Sequence, residues 1–89
     1  MDEWIDRFAE AIGEEPISPE EMGAMLKISR EVAHRVERKL APLSTFLAGL
    51  YVGRRMAEGS SRAEAGQRAT EMALALLPPR PEEEESQQG

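Results

Sequence analysis

Two serine-led segments constrain the fold of this 89-residue chain more than any other feature of its sequence. Ser18 precedes a proline and lies three residues before Glu21, which is the pattern of a capping box that opens a helix. Ser61 and Glu64 repeat the serine–glutamate spacing later in the chain. We therefore expect a helix to begin at both points, which divides the chain into separate helical segments.

Apolar residues recur at spacings of three and four in four segments, as they do along amphipathic helices. Gly13 and Gly59 follow two of these segments, where a glycine commonly ends a helix. Pro42 and Pro78 mark two other breaks, because the residue before a proline disfavours helical geometry. The sequence predicts an all-α fold, a compact bundle of four short helices. The helices are expected at about residues 2–12, 19–40, 43–57 and 62–77.

The C-terminal residues differ in composition from the rest of the chain. Residues 78–89 contain prolines, four consecutive glutamates and a polar end. Such a segment cannot bury enough apolar surface to offset the entropy that is lost on folding. We therefore predict one helical domain at residues 1–77, followed by a disordered acidic tail at residues 78–89.

The third predicted helix contains the most apolar segment of the chain, residues 46–52. A helix that is apolar all round is usually buried, so we expect the third helix at the centre of the bundle. Gly49 and Gly53 lie four residues apart on one side of it, and each costs up to about 1 kcal/mol of helix stability relative to alanine. This cost predicts that another helix packs closely against that side.

The second predicted helix has one apolar face and one charged face. Methionines and valines at alternating spacings of three and four indicate the side that faces the core. We predict an inward face that consists of Met22, Met25, Leu26, Ser29, Val32, Ala33, Val36 and Leu40. We predict an outward face that consists of Lys27, Arg30, Glu31, His34, Arg35 and Arg38.

Charge is distributed unevenly along a chain whose net charge is −6. Residues 1–25 hold eight acidic residues and one arginine, and residues 58–89 hold seven acidic residues and three arginines. The middle segment, residues 26–57, holds seven basic and two acidic residues. An acidic total argues against nucleic-acid binding, which needs a basic surface. The basic middle segment leaves open the binding of a small anion or an acidic partner.

Composition also argues against several protein classes. The chain has no cysteine, which excludes disulfides and thiolate metal sites. Its longest apolar run, residues 46–52, is far shorter than the roughly 18–20 residues that span a bilayer. The acidic N-terminus lacks the basic and apolar regions of a signal peptide. We expect a cytoplasmic protein that binds neither membrane nor nucleic acid.

Two features bear on catalytic or metal chemistry. Glu31 and His34 have the Glu-x-x-His spacing of di-iron helical bundles, which need two such pairs and two further glutamates. The sequence supplies one pair, which we interpret as part of a solvated helix face. Ser44 has no nucleophile signature around it. We predict no enzymatic activity, no metal site and no cofactor.

Basic residues of the second and third predicted helices form the candidate site. Arginine side chains suit both phosphates and carboxylates, because their paired N–H donors match either group. The alternative is a solvated basic face that is balanced by the acidic first helix, with Ser44 and Thr45 capping the third helix. We predict an interaction or anion site that consists of His34, Arg35, Arg38, Ser44, Thr45 and Arg54.

Three segments carry a resemblance to a known family. They are Trp4-Ile5-Asp6-Arg7-Phe8, Ala33-His34 and Ala41-Pro42-Leu43-Ser44-Thr45-Phe46-Leu47-Ala48-Gly49. Over residues 3–77 the chain is similar to a small actinobacterial helical domain family of unknown function. Members of that family stand alone or are fused C-terminally to the molybdenum cofactor guanylyltransferase, the enzyme that attaches a guanine nucleotide to molybdopterin.

The resemblance implies a non-catalytic accessory role in the biosynthesis of the molybdenum cofactor, molybdopterin guanine dinucleotide, and it brings no catalytic residues with it. The implied partner is the nucleotidyltransferase, since this chain has no glycine-rich phosphate loop of its own. From the residues, we expect a protein-interaction or self-association domain. The alternative is a small accessory domain that binds an anion or a nucleotide through the basic face of the second helix.

Overall fold

The computed structural model of the protein describes residues 3–80, and these residues form four α-helices. They are α1 (Glu3–Ala11), α2 (Pro19–Arg35), α3 (Leu40–Ala57) and α4 (Arg62–Leu76). No strand occurs within the described residues, and the predicted all-α bundle of four short helices is confirmed. Helices α2, α3 and α4 pack against one another in all three pairings, whereas α1 makes no comparable pairing with them. Most of the predicted tail, residues 81–89, lies outside the described residues.

Both predicted helix starts are present. At α2, the backbone N–H of Ser18 donates to Glu21 Oε1 at 2.9 Å, and that of Glu21 donates to Ser18 Oγ at 3.1 Å, which completes the capping box. At α4, the backbone N–H of Glu64 donates to Ser61 Oγ at 3.1 Å. Arg62, the first residue of α4, donates to Glu21 Oε2, so the two helix starts are joined.

Left-handed glycines follow two of the helices, as the sequence predicts. Gly13 has a φ of 77° shortly after the end of α1, and Gly59 has a φ of 106° shortly after the end of α3. Glycine adopts this backbone region without the steric cost that a Cβ would impose. The chain therefore turns away from both helix axes at these two points.

The junction between α2 and α3 differs from the prediction. α2 ends at Arg35 rather than near Leu40, and α3 begins at Leu40 rather than three residues later. Pro42 is therefore the third residue of α3. The N–H groups in the first turn of a helix have no intrahelical partner, so a proline there removes no hydrogen bond. The proline lies inside the start of α3 and not in a break before it.

The core is small and centres on Ile28 of α2, which is fully buried. The predicted inward face omits Ile28 and includes Leu26 and Val36, which are both exposed. The side of α2 that packs therefore overlaps the predicted inward face at Val32, but it is turned toward Ile28 and Glu31. The other buried apolar residues are small or medium in size: Ala9, Val32, Ala41, Ala65 and Ala69.

α3 packs against both α2 and α4, but much of its apolar surface is not covered. Ala41 is its one buried residue. Leu43, Phe46, Leu47 and Leu50 are each more than half exposed. The third helix therefore contacts both of its neighbours, but the expectation that it is buried all round is wrong.

The close helix packing predicted at Gly49 and Gly53 is not present within residues 3–80. A Cβ placed at either glycine would meet no heavy atom within 4 Å beyond the local backbone of the helix itself. Both positions therefore border open space. Packing inside the described chain does not offset their cost in helix stability.

Candidate functional site

One side of α3 carries four large apolar side chains. Leu43, Phe46, Leu47 and Leu50 recur at spacings of three and four, which places them on one side of the helix, and they are 56–65% exposed. We refer to these four residues as the α3 face. They lie opposite Ala41, which is buried where α3 meets its neighbours. A contiguous exposed apolar surface of this kind is typical of a site that binds another molecule.

Basic residues border the α3 face. Arg54 lies four residues after Leu50, so it continues the same side of the helix, and it is exposed. The next residue, Arg55, donates from Nη1 to Glu58 Oε1 at 2.8 Å. α3 contains no acidic residue from Leu40 to Ala57. The α3 face is therefore apolar along its length and positively charged at its C-terminal end.

α1 has a second exposed apolar side. The rings of Trp4 and Phe8, one turn apart, stack with their centroids 5.4 Å apart. Ile12 follows one turn later, immediately after the helix ends. All three side chains are close to half exposed or more, and we refer to them as the α1 face. The remaining side of α1 carries all four of its charged residues: Glu3, Asp6, Arg7 and Glu10.

The six residues of the predicted interaction or anion site fall into two groups. His34, Arg38 and Arg54 are exposed, as a binding role requires. They come from α2, from the turn after it and from α3, respectively. The other three, Arg35, Ser44 and Thr45, are half-buried. The joint role of the six as a site stays a prediction.

Ser44 and Thr45 lie inside α3 and do not cap it. Ser44 Oγ donates to the carbonyl oxygen of Ala41 at 2.7 Å, and Thr45 Oγ1 donates to that of Pro42 at 2.9 Å. The N-cap residue is Lys39, which makes no side-chain capping hydrogen bond. The predicted caps are wrong because the helix begins before these two residues.

Glu31 lies in the interior, although the sequence places it on the outward face. It is 5% exposed, and its Oε1 accepts from Arg35 Nη1 and from Arg80 Nε, each at 3.2 Å. Arg30 Nε lies 3.8 Å from the other carboxylate oxygen. Arg35 also donates from Nε to the carbonyl oxygen of Pro78 at 2.7 Å. These contacts hold the segment after α4 against α2, so the prediction of an outward Glu31 and Arg35 is wrong.

The surrounding arginines keep the Glu31 carboxylate ionised. The hydrogen bond from Arg35 lowers the pKa of Glu31, burial opposes this effect, and the charge of Arg80 lowers the pKa further. The residues beside the carboxylate are cations, and His34 is exposed while Glu31 is buried. Within residues 3–80, no group of three or more histidine, aspartate or glutamate side chains is placed to hold a metal ion. Glu31 pairs with the arginines of this cluster.

A polar groove lies between the C-terminal half of α3 and α4. Arg54, Arg55 and Arg68 line it together with Tyr51 and two glutamates. One of the three arginines, Arg55, is already paired with a glutamate. The sequence alone does not place Arg68 near Arg54, because their common position in the groove depends on how α4 lies against α3. The groove brings positive charge from two helices to one place.

A family model that is described as a domain of unknown function matches residues 1–85. The match spans all four helices and includes both the α1 face and the α3 face. No curated protein and no solved structure matches the chain. In the part that the structure describes, no helix combines the length and the apolar character needed to cross a membrane.

Proposed function

The chain belongs to the DUF6457 family of domains of unknown function, and we propose that it is a non-catalytic protein-interaction domain that binds through the α3 face. The observation that carries this proposal is the exposure of four large apolar residues on one side of a helix that is apolar on both sides. A helix of that kind normally has both sides covered. Helices α2 and α4 cover one side within the described chain, and a partner covers the other.

Burial of the α3 face offers a substantial gain in free energy. Complete burial of one leucine or phenylalanine side chain contributes about 1.5–3 kcal/mol relative to full exposure. Since each of the four side chains is more than half exposed, most of that gain is still available. Association itself has a large cost in lost translational and rotational freedom, so polar contacts around the face must add to the gain. Arg54 is placed to supply such a contact to an acidic partner.

The segment that carries the family resemblance supports a particular partner. Residues 41–49 contain three of the four residues of the α3 face. They resemble the actinobacterial domain that is fused to the molybdenum cofactor guanylyltransferase. This likeness supports that nucleotidyltransferase as the partner and an accessory role in molybdenum cofactor biosynthesis. The proposal includes a cytoplasmic location, with which the absence of cysteine is consistent.

The test is a calorimetric titration of the full chain with purified molybdenum cofactor guanylyltransferase from the same host. We expect the wild type to bind, and a Leu47→Ser/Leu50→Ser variant to bind at least about tenfold more weakly, because two apolar anchors become polar. Leu76→Ser is the matched control, since Leu76 is 86% exposed on a different helix. Equal binding by the α3 variant, with its circular dichroism spectrum unchanged, would contradict the proposed surface. No binding by the wild type would contradict the proposed partner.

The groove that holds Arg54, Arg55 and Arg68 favours a second candidate function, the binding of a small anion or nucleotide. Three arginines from two helices line this groove, and phosphate groups match the paired donors of arginine. The groove is a better candidate than the basic face of α2, because Arg35 is bonded to Glu31 and Pro78. Titration with inorganic phosphate and with guanine nucleotides at low salt tests this function. We expect an Arg54→Gln/Arg68→Gln variant to lose the binding, and absence of heat in the wild type would exclude it.

A further inference from the structure

We infer that, in the isolated protein, the α3 face is covered by α1 of a second copy of the chain. Each α1 lies on the α3 of the other copy in a dimer with twofold symmetry. This inference rests on the proposed function, because it names an occupant for the same surface. Three observations point to α1: the lengths of the two exposed faces, their charges, and the open space beside the α3 face.

The α1 face and the α3 face match in length. Trp4 and Ile12 are eight residues apart, which is about 12 Å along a helix, and Leu43 and Leu50 are seven residues apart, which is about 10 Å. Each face therefore presents roughly two turns of exposed apolar side chains. α1 has no packing contact comparable to those among α2, α3 and α4. Contact with a second copy therefore disrupts little packing within the chain.

The charges around the two faces are opposite. α1 carries three acidic residues against one arginine, whereas α3 carries two arginines and no acidic residue. Charge complementarity of this kind orients partners and disfavours wrong pairings. An acidic amphipathic helix therefore suits the surroundings of the α3 face.

Pairings between like helices are less favourable. Two α1 helices side by side would bring their acidic residues together. Two α3 faces in antiparallel contact would place Arg54 of one copy near Lys39 at the start of the other α3. Like charges in close contact are destabilising. The combination of α1 with α3 is the one that brings a helix of net negative charge against a helix of net positive charge.

Twofold symmetry and the open space beside α3 also favour this dimer. A twofold dimer forms each contact twice. Stable interfaces bury at least about 1,200 Å², and the area buried by one pair of two-turn helices is small against that value. The second contact therefore doubles the buried area. Gly49 and Gly53 lie beside the α3 face, and a Cβ at either one would meet no atom within 4 Å. A second helix can therefore approach the backbone of α3 closely on that side.

Light scattering after size-exclusion chromatography tests the inference across a range of concentrations. We expect a dimer at high concentration and a monomer on dilution. Trp4 is the one tryptophan of the chain and lies on the α1 face, so its fluorescence emission should shift to the blue as the dimer forms. Phe8→Ser and Leu47→Ser should each shift the protein to the monomer, whereas Leu76→Ser, the control, should not.

Mixing the two variants tests the reciprocal arrangement. Homodimers of Phe8→Ser have two altered α1 faces, and homodimers of Leu47→Ser have two altered α3 faces. A mixed dimer keeps one intact contact, between the unaltered α1 of one chain and the unaltered α3 of the other. We therefore expect the mixture to form heterodimers that are weaker than the wild-type dimer but stronger than the homodimer of either variant.

Several outcomes would overturn the inference. One is a wild type that stays monomeric at all concentrations. Another is a blue-shifted Trp4 emission that does not change with concentration, because such a shift would indicate that α1 docks within its own chain. A dimer that Leu47→Ser disrupts and Phe8→Ser leaves intact would indicate contact between two α3 faces. The proposed function is tested separately. If the wild type is monomeric but its binding to the guanylyltransferase still depends on Leu47 and Leu50, the proposed function is supported and the dimer is contradicted.

Discussion

Glu31 shows how a single buried charge connects distant parts of the chain. Its carboxylate accepts hydrogen bonds from Arg35 on its own helix and from Arg80, which is 49 residues away in sequence. A buried carboxylate without partners would be strongly unfavourable, and removal of one member of such a cluster leaves the others uncompensated. The cluster thus stabilises the fold only as a unit.

The lowered pKa of Glu31 makes the stability of the protein depend on pH. A carboxylate whose folded-state pKa is depressed stabilises the protein above its ordinary value of 4.5, and this stabilisation is lost as pH falls through the lower folded value. We expect Glu31→Gln to have a lower Tm than the wild type at neutral pH. The difference should shrink as pH falls below 4.5, because protonation removes the same charge from the wild type. Thermal unfolding followed by circular dichroism checks this, and a constant difference would contradict it.

Gly49 offers a stabilising substitution in the monomer. We expect Gly49→Ala to raise the free energy of unfolding by about 0.5–1 kcal/mol, because alanine is the better helix former and a Cβ there meets no atom within 4 Å. Urea unfolding in a Leu47→Ser background, where the chain is expected to be monomeric, is the measurement. Gly59→Ala is the contrasting control, since its φ of 106° strains any side chain. Loss of stability in Gly49→Ala would mean that another group packs at that position.

At the scale of helices, Glu21 joins the starts of α2 and α4. It completes the capping box with Ser18 and also accepts from Arg62, which in turn donates to the carbonyl oxygen of Glu15 at 3.1 Å. Burial raises the pKa of Glu21, but the hydrogen bonds from the Ser18 backbone and Arg62 outweigh it, so the net pKa is lowered. The connector before α2, the start of α2 and the start of α4 therefore share one polar cluster.

This cluster predicts unequal effects at the two caps. Ser18→Ala should lower the free energy of unfolding by about 1 kcal/mol, which is typical for loss of a capping serine. Ser61→Ala should cost less, because Ser61 is exposed and its contact at 3.1 Å lies outside the cluster around Glu21. Chemical denaturation of both variants gives the comparison. A larger loss at Ser61 would show that the cluster at α2 adds nothing to its cap.

The helix starts and the all-α class could be predicted from the sequence, because caps depend on residues three positions apart. The packing side of α2 could not be predicted in the same way. That side contains Ile28, but it also contains Glu31 and Arg35, which look like surface residues until Pro78 and Arg80 fold back onto them. A pattern within one helix carries no information about partners more than forty residues away.

The candidate site was predictable in part for a similar reason. The sequence identifies α3 as apolar all round, and it locates Arg54 and His34 on exposed positions. It does not say which side of α3 its own chain covers, because Leu43, Phe46, Leu47 and Leu50 are as apolar as the side that packs. The exposed α3 face emerges only when all the helices are in place.

At the scale of the whole molecule, residues 78–80 belong to the structural unit that α2 anchors. A chain that ends at residue 77 lacks both Pro78, whose carbonyl accepts from Arg35, and Arg80, which contacts Glu31. We expect this truncation to lower Tm relative to the full chain. Calorimetric scans of both chains make the comparison. Equal values would mean that the contacts of the C-terminal segment do not contribute to stability.

The loose attachment of α1 has a consequence for its backbone amides. A nine-residue helix is shorter than the roughly 12–15 residues that an isolated helix needs to persist in water, so α1 depends on whatever packs against it. Because that packing is weak within the chain, α1 should open often and exchange its amide protons for deuterium much faster than α2, α3 and α4 do. Coverage of the α1 face by another molecule should slow this exchange. The rate of amide exchange in α1 then reports directly on whether the domain is free or bound to another molecule.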